Sequence, residues 1–188
     1  AGEISGDILA TRQSDVVVNR GGIIQGDVQM SLGDDLFNTR GGAVTGTVDM
    51  NAGDDTYRGS DGADSVTGGA DNDHLTGYAG NDTLIGDAGF DELYGNGGHD
   101  SLDGGGRSDL LAGGRGDDTM TGGGGGDTFV IRRVGNGDDQ LPPLRRRLAV
   151  NGIVEVAGVR AIDGDQGQVV VAARLPETGE ADRNRLFN

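Results

Sequence analysis

The sequence of 188 residues contains no cysteine, no lysine and only three prolines. Without cysteine, no disulfide can constrain the chain. No apolar stretch is long enough to cross a bilayer, so we predict no transmembrane segment. The chain begins inside a repeat at Ala1 rather than with a secretory signal, and we therefore expect further sequence upstream.

Basic residues are also scarce until the last third of the chain. The formal net charge is -16, and residues 59–130 contain 14 acidic side chains but only two arginines. Nucleic acids require a basic binding face, so this acidity argues against a nucleic-acid partner. Glycine is abundant instead, with 39 residues, about three times the average usage of roughly 7%. This excess indicates many turns.

Residues 59–130 form eight consecutive nonapeptides with one pattern. The sixth position is always aspartate: Asp64, Asp73, Asp82, Asp91, Asp100, Asp109, Asp118 and Asp127. The eighth position is always apolar: Val66, Leu75, Leu84, Leu93, Leu102, Leu111, Met120 and Phe129. Alternate residues of a strand face opposite sides, so we expect the last three residues to form a strand with the eighth side chain inward. Glycines at positions one, two and four favour a turn with positive φ angles and converging carbonyl oxygens.

This pattern, G-G-x-G-x-D-x-U-x, resembles the RTX family of hemolysin-type calcium-binding repeats. The resemblance implies an all-β fold, a right-handed parallel β-roll or β-helix solenoid in which each nonapeptide makes half a coil. It also implies calcium as the cofactor. Calcium takes six to eight oxygen ligands, which backbone carbonyls and one carboxylate per turn supply only if two stacked turns share the ion.

The preceding residues repeat every 20 positions, with copies that begin at Gly2, Gly22 and Gly42. Residues 30–38 and 50–58 within them are nonapeptides with Gly-Asp-Asp at positions four to six. The other eleven residues of each copy carry Arg-Gly-Gly, which predicts a plain glycine turn. We interpret each copy as one full rung, similar to the short-rung β-helices of secreted bacterial surface proteins.

Stacking alternate half-coils predicts two rows of aspartates, one along each edge of the solenoid. The first Asp file contains Asp35, Asp55, Asp73, Asp91, Asp109 and Asp127, and the second Asp file contains Asp64, Asp82, Asp100 and Asp118. We expect these ten carboxylates to bind up to about eight calcium ions, together with the fourth-position residues Gly62, Gly80, Gly89, Gly98, Gly116 and Gly125. Asp71 and Arg107 replace glycine at position four, which weakens the expectation for adjacent sites. Asp15 belongs to a degenerate first rung.

The repeats end near Ile131, and the composition then changes. A Pro-Pro pair at 142–143 and three arginines at 145–147 indicate a break. Residues 148–162 and 168–175 have strand-like patterns. We therefore divide the chain into β-helix rungs at 1–58, a calcium-binding β-roll at 59–131 and a C-terminal region at 132–188. The last is either a small β cap for the open end of the solenoid or, as in many RTX proteins, a secretion signal.

Several smaller motifs favour ordinary interpretations. LPETG at 175–179 matches the sortase pattern, but no membrane-length segment follows it. Residues 163–167 resemble the start of an EF-hand loop, yet Arg174 stands where a bidentate glutamate belongs. His74 and His99 lie in different nonapeptides, and we expect solvated side chains rather than metal ligands.

We consider three functions. The first is a calcium-binding structural or adhesive module of a secreted or cell-surface bacterial protein, which folds on calcium and associates with itself or with a cell-surface polysaccharide. The second is the non-catalytic RTX module of a secreted enzyme such as an alginate epimerase, protease or lipase. The third is a small β-helix enzyme that uses Asp7, Asp27 or Asp49. Because the usual lysine or histidine partner is missing, we expect that the chain itself is not an enzyme.

Overall fold

The computed structural model describes residues 2–130, 153–156 and 159–163, and every regular element in these ranges is a β-strand. The strands, numbered β1 to β19 in chain order, form three sheets. The break at 141–143, the arginines at 145–147, the motif at 175–179 and most of the loop at 163–167 lie outside the described residues. The proposal of a secretion signal at 132–188 therefore stays a prediction.

Sheet 1 is the longest and contains one strand from every rung and coil. Its neighbours, in order, are β2 (Ile8–Leu9), β5 (Val28–Gln29), β8 (Val48–Ala52), β10 (Ser65–Ala70), β12 (Thr83–Ala88), β14 (Ser101–Gly106), β16 (Asp118–Gly124), β19 (Val159–Asp163) and β18 (Ile153–Val156). All pairs are parallel except β18 with β19, which are antiparallel. Both late strands overlap the segment 148–162 that the sequence predicts as β structure. The cap itself stays a prediction.

Sheet 2 forms the opposite wall of the solenoid. Its neighbours are β3 (Val16–Val18), β6 (Leu36–Asn38), β9 (Thr56–Arg58), β11 (His74–Ala79), β13 (Glu92–Gly97), β15 (Leu110–Arg115) and β17 (Thr128–Phe129), all parallel. The chain therefore alternates between sheets 1 and 2 at each nonapeptide. This alternation confirms the predicted half-coil and the all-β parallel solenoid.

The longer repeat of the early rungs gives way to the nonapeptide repeat without a break in either sheet. In sheet 1, Val48 pairs with Val28 of the preceding rung and with Val66 of the first coil. Sheet 2 makes the same change at Tyr57, which pairs with Phe37 and Leu75. Because apolar positions stay aligned across the junction, the two repeat types form one continuous solenoid.

Sheet 3 occurs only in the early rungs and was not predicted. It contains β1 (Glu3–Ser5), β4 (Ile23–Gln25) and β7 (Ala43–Val44). The eleven-residue segment was predicted to be a plain turn, but it places Ile24 and Val44 in the core at 2% and 7% exposure. These apolar side chains stabilise a third short strand. Each rung has two residues more than a coil of two nonapeptides, which gives the chain enough length to form this strand.

The core is a narrow column between the sheets. In the nonapeptide region it consists of the eighth-position side chains, Val66, Leu75, Leu84, Leu93, Leu102, Leu111, Met120 and Phe129, all at most 2% exposed. In the early rungs Met30 and Met50 are also fully buried. The rings of Phe37 and Tyr57 stack with centroids 5.9 Å apart.

Candidate calcium-binding turns

The predicted aspartate files are present, and hydrogen bonds join their members. In the first file the backbone N–H of each aspartate from Asp35 to Asp109 donates to Oδ1 of the next, at 2.7–3.0 Å. The same bond joins Asp64, Asp82, Asp100 and Asp118 at 2.9–3.0 Å in the second file. Asp15 also donates to Asp35 Oδ1, at 2.6 Å. Each of these Oδ1 atoms is therefore used to stack one coil on the next.

The second carboxylate oxygen, Oδ2, accepts no such hydrogen bond from the neighbouring coil. Eight Oδ2 atoms are buried without a hydrogen-bond partner, and they belong to Asp35, Asp55, Asp73, Asp82, Asp91, Asp100, Asp109 and Asp118. A buried polar atom without a partner is costly, and a charged one more so. Eight of them in regular rows indicate that a cation belongs beside them.

Position-one glycines make room for these carboxylates. A Cβ atom on Gly95 would contact Asp100 Oδ2 at a distance that van der Waals radii forbid. Gly68 and Gly86 have the same relation to Asp73 and Asp91. The glycine pattern predicted positive φ angles at position one as well, and this prediction was wrong: no glycine at that position has a positive φ. Glycine stands at position one because the carboxylate of the same turn approaches it closely.

Positive φ angles occur instead at positions two and four. The predicted Gly80, Gly98, Gly116 and Gly125 have them, whereas Gly62 and Gly89 do not. Asp71 and Arg107, which occupy position four in place of glycine, adopt φ angles of 78° and 82°. Both turns therefore keep a left-handed backbone conformation in spite of the substitution.

Backbone carbonyls contribute oxygen atoms between successive turns. A Cβ on Gly98 would collide with the carbonyl oxygen of Gly80, and one on Gly105 with that of Asp87. The carbonyls at positions four and two thus face the same positions of the next coil. These carbonyls and the buried Oδ2 atoms are oxygen donors in the same turns, and oxygen is the ligand type that a hard cation such as calcium takes.

One predicted ligand, Asp64, differs from the rest. The backbone N–H of Ser60 donates to Asp64 Oδ2 at 2.8 Å, and the Ser60 hydroxyl donates to Oδ1 at 3.2 Å.

The metal-binding roles of the ten aspartates and six glycines, and the number of ions, stay predictions.

Burial raises the pKa of most aspartates in both files, and neighbouring carboxylates raise it further. The effect is largest at Asp73. It is also marked at Asp55, Asp82 and Asp109. A bound cation would oppose this effect by favouring the ionised carboxylate. A proton and a metal cation therefore compete for the carboxylates of the two Asp files.

The two histidines contact groups of neighbouring coils. His74 Nδ1 lies 3.1 Å from Glu92 Oε2 on the outer face of sheet 2, and His99 Nδ1 accepts the N–H of Asp117. Among the described residues no group of three or more His, Cys, Asp or Glu side chains is arranged to hold a metal ion.

The carboxylates considered for catalysis also bond to backbone. Asp7 Oδ1 accepts the N–H of Asp27, and Asp27 Oδ1 accepts both the N–H and the hydroxyl of Thr47. The Thr47 bonds lower the pKa of Asp27. Asp49 Oδ1 accepts the N–H of Asn51. These aspartates stabilise turns and rungs.

Within the described ranges, no helix has the length and apolar character needed to span a membrane. Comparison with protein families finds matches to the RTX calcium-binding nonapeptide repeat (4 copies) at residues 51–84, 76–106 and 103–130. A search of curated proteins finds no match. The matched ranges include every nonapeptide of the roll and the last residues of the third rung.

Proposed function

Because residues 51–130 are RTX calcium-binding repeats folded as a parallel β-roll, we propose that the chain is a calcium-dependent structural module of a secreted or cell-surface bacterial protein. The observation that carries the proposal is the two rows of buried Oδ2 atoms without partners. Calcium satisfies these atoms, and the turns that hold them become ordered when it binds.

Repulsion between stacked aspartates supports folding on calcium. Two carboxylates one strand spacing apart, about 4.8 Å, repel by roughly 3–4 kcal/mol at an effective dielectric constant of 20. Extracellular calcium modules bind with Kd of about 10⁻⁴–10⁻³ M, and an ion present at tenfold its Kd contributes about 1.4 kcal/mol. Eight such ions contribute roughly 11 kcal/mol, which equals the net stability of an ordinary domain. Tenfold above these Kd values is about 1–10 mM calcium, so this contribution needs millimolar calcium.

We propose further that the module associates with a second copy of itself, end to end or side by side. The support is its parallel sheets, because the outermost strands of a β-solenoid must be capped or paired with another chain. Light scattering in millimolar calcium tests this: a strictly monomeric folded protein at high concentration contradicts it.

A cell-surface polysaccharide remains the proposed adhesive partner. The outer face of sheet 2 supports it with an aromatic and acidic patch, where the His74 and Tyr94 rings lie 5.2 Å apart and Tyr94 donates to Glu92. Rings and carboxylates on a flat, solvated sheet offer stacking and hydrogen bonding to sugars.

Circular dichroism tests the central proposal. The chain should be largely disordered in chelator and rich in β structure in millimolar calcium. Magnesium should replace calcium poorly, because its smaller octahedral shell suits a carbonyl-rich shared site badly. Asp91→Asn should raise the calcium concentration at the folding midpoint, whereas Glu92→Gln, at an exposed position on the outer face in the same nonapeptide, should not. Equal folding with and without chelator would refute calcium dependence.

A further inference from the structure

The residue at position two divides the turns into two kinds. In nine of them this residue has a positive φ, namely Ser31, Asn51, Gly69, Tyr78, Asp87, Asn96, Gly105, Gly114 and Gly123. Thr11 and Ser60 occupy position two in the turns before Asp15 and Asp64, and neither has a positive φ. Serine or threonine occurs at position two in three turns, as Thr11, Ser31 and Ser60. Thr11 and Ser60 are the two exceptions.

These two hydroxyl residues bond to the carboxylate of their own turn. The N–H and the hydroxyl of Thr11 both donate to Asp15 Oδ2 at 2.7 Å. The N–H of Ser60 donates to Asp64 Oδ2 at 2.8 Å, and the Ser60 oxygen accepts the N–H of Gly62 at 3.1 Å. The Oδ2 atom that lacks a partner in eight other turns is therefore satisfied by the protein itself.

Among the described residues, each closed turn lies directly before the first open turn of its edge. Asp15 precedes Asp35 in the first file, as its 2.6 Å hydrogen bond to Asp35 Oδ1 shows. On the other edge the register between Val48 and Val66 places Gly46, which has no carboxylate, beside Asp64. Each row of open turns is thus preceded by a turn whose carboxylate is held by a hydroxyl residue.

The Asp35 turn, in contrast, resembles the turns of the roll although it precedes the family match at residue 51. Asp35 is 3% exposed, and its Oδ2 has no partner. Its turn has the positive φ angles at Ser31 and Gly33 that recur at Asn51 and Gly53. The N–H of Asp35 bonds to Asp55 Oδ1 at 2.7 Å, so the two turns are stacked as in the roll.

We propose that the calcium sites extend into the early rungs as far as Asp35 and that two turns are closed by a hydroxyl residue in place of an ion, Thr11 with Asp15 and Ser60 with Asp64. This rests on the proposed calcium binding of the RTX turns. The closed turns are ordered without metal, and the next turn of the same edge stacks on them.

Native mass spectrometry of the full chain with calcium acetate tests the assignment by counting bound ions. Asp35→Asn should bind at least one ion fewer than the wild type. Its matched control, Asp34→Asn, changes the exposed neighbour, whose Oδ1 accepts the N–H of Asp54, and should keep the wild-type count. Asp15→Asn should also keep it. Ser60→Gly should gain one ion, because glycine readily adopts the positive φ of the open turns and can turn its N–H away from Asp64 Oδ2. Ser60→Ala should not, because alanine disfavours a positive φ and keeps this N–H bond.

The outcomes separate this inference from the proposed function. A wild type that binds no calcium overturns the proposed function. A calcium-binding wild type with an unchanged count in Asp35→Asn, or a lower count in Asp15→Asn, overturns the inference alone. Ser60→Gly keeps the test decisive if Asp35→Asn fails to fold in circular dichroism, because misfolding cannot add an ion, and no gain contradicts the closed turn.

Discussion

The early rungs and the nonapeptide coils differ in how much apolar side chain they bury. One early rung buries four large apolar side chains, whereas one coil of two nonapeptides buries two. The four are Ile24, Val28, Met30 and Phe37 in one rung, and the two are Leu75 and Leu84 in one coil. At about 1.5–3 kcal/mol for each buried side chain, the difference amounts to roughly 3–6 kcal/mol per turn of the solenoid.

Position one explains much of this difference. Met30 and Met50 place a thioether side chain in the core of the rungs, while Gly68 and its successors leave that position empty for a carboxylate. The roll thus replaces apolar packing by oxygen atoms, and its stability depends on an ion that satisfies them. Two versions of one β-solenoid can therefore share a register and differ in what stabilises them.

The largest expected effect is the removal of calcium, and it should fall unevenly along the chain. Hydrogen exchange with mass spectrometry should show the backbone amides of residues 59–130 losing protection in chelator. Residues 22–58 should retain more, because their core is larger. Equal loss in both regions would contradict the comparison and make calcium the main source of stability throughout.

The next effect concerns the core of the roll. Leu93→Ala should lower the free energy of unfolding in calcium by about 2–5 kcal/mol, since Leu93 is fully buried in a single column. Leu110→Ala is the control, because Leu110 pairs beside Glu92 on the outer face of the same sheet and should cost under about 1 kcal/mol. Chemical denaturation measures both. Similar losses would mean that the eighth-position column is not the main apolar core.

A smaller effect tests the reason for glycine at position one. Gly95→Ala should destabilise the calcium-bound protein by about 1–3 kcal/mol and weaken calcium binding, because the methyl group displaces the Asp100 carboxylate. In the control Gly97→Ala, the new Cβ would lie at an ordinary 3.6 Å from the Tyr78 carbonyl oxygen. Calcium titration followed by thermal melting compares the two variants. A silent Gly95→Ala would show that the carboxylate does not need this space.

The smallest effect is the pH dependence of the calcium-free protein. Burial raises the pKa of Asp73 to about 8 and that of Asp55, Asp82 and Asp109 to about 7, against about 3.9 in an unfolded chain. A raised folded-state pKa favours the fold when the group is protonated. This contribution is complete below about pH 4 and is lost as the pH rises through 7 and 8.

Calcium-free protein should therefore gain β structure in circular dichroism as the pH is lowered from 8 to 5. With calcium present the dependence should reverse, because protonation competes with the ion for the same oxygens. No gain on acidification would mean that residual charge repulsion outweighs the relief at the buried aspartates.

The nonapeptide period was enough to predict the half-coil, the inward eighth position and the two Asp files, all of which are present. A strict repeat places identical positions one above another, so Asp91 must lie between Asp73 and Asp109 once the strands stack in parallel. The early rungs were predicted less completely, because Ile24 and Val44 lie in a segment whose glycines indicated only a turn.

The sequence by itself determined which residues share a column, since periodicity fixes register in a parallel solenoid. Only the tertiary structure decided what each column does. The glycine at position one responds to a carboxylate in the same turn, and the role of Ser60 depends on a φ angle and on the oxygen that its N–H reaches. Both features belong to the geometry of the folded turn. A serine or a glycine in the sequence is compatible with several such geometries until neighbouring coils fix one of them.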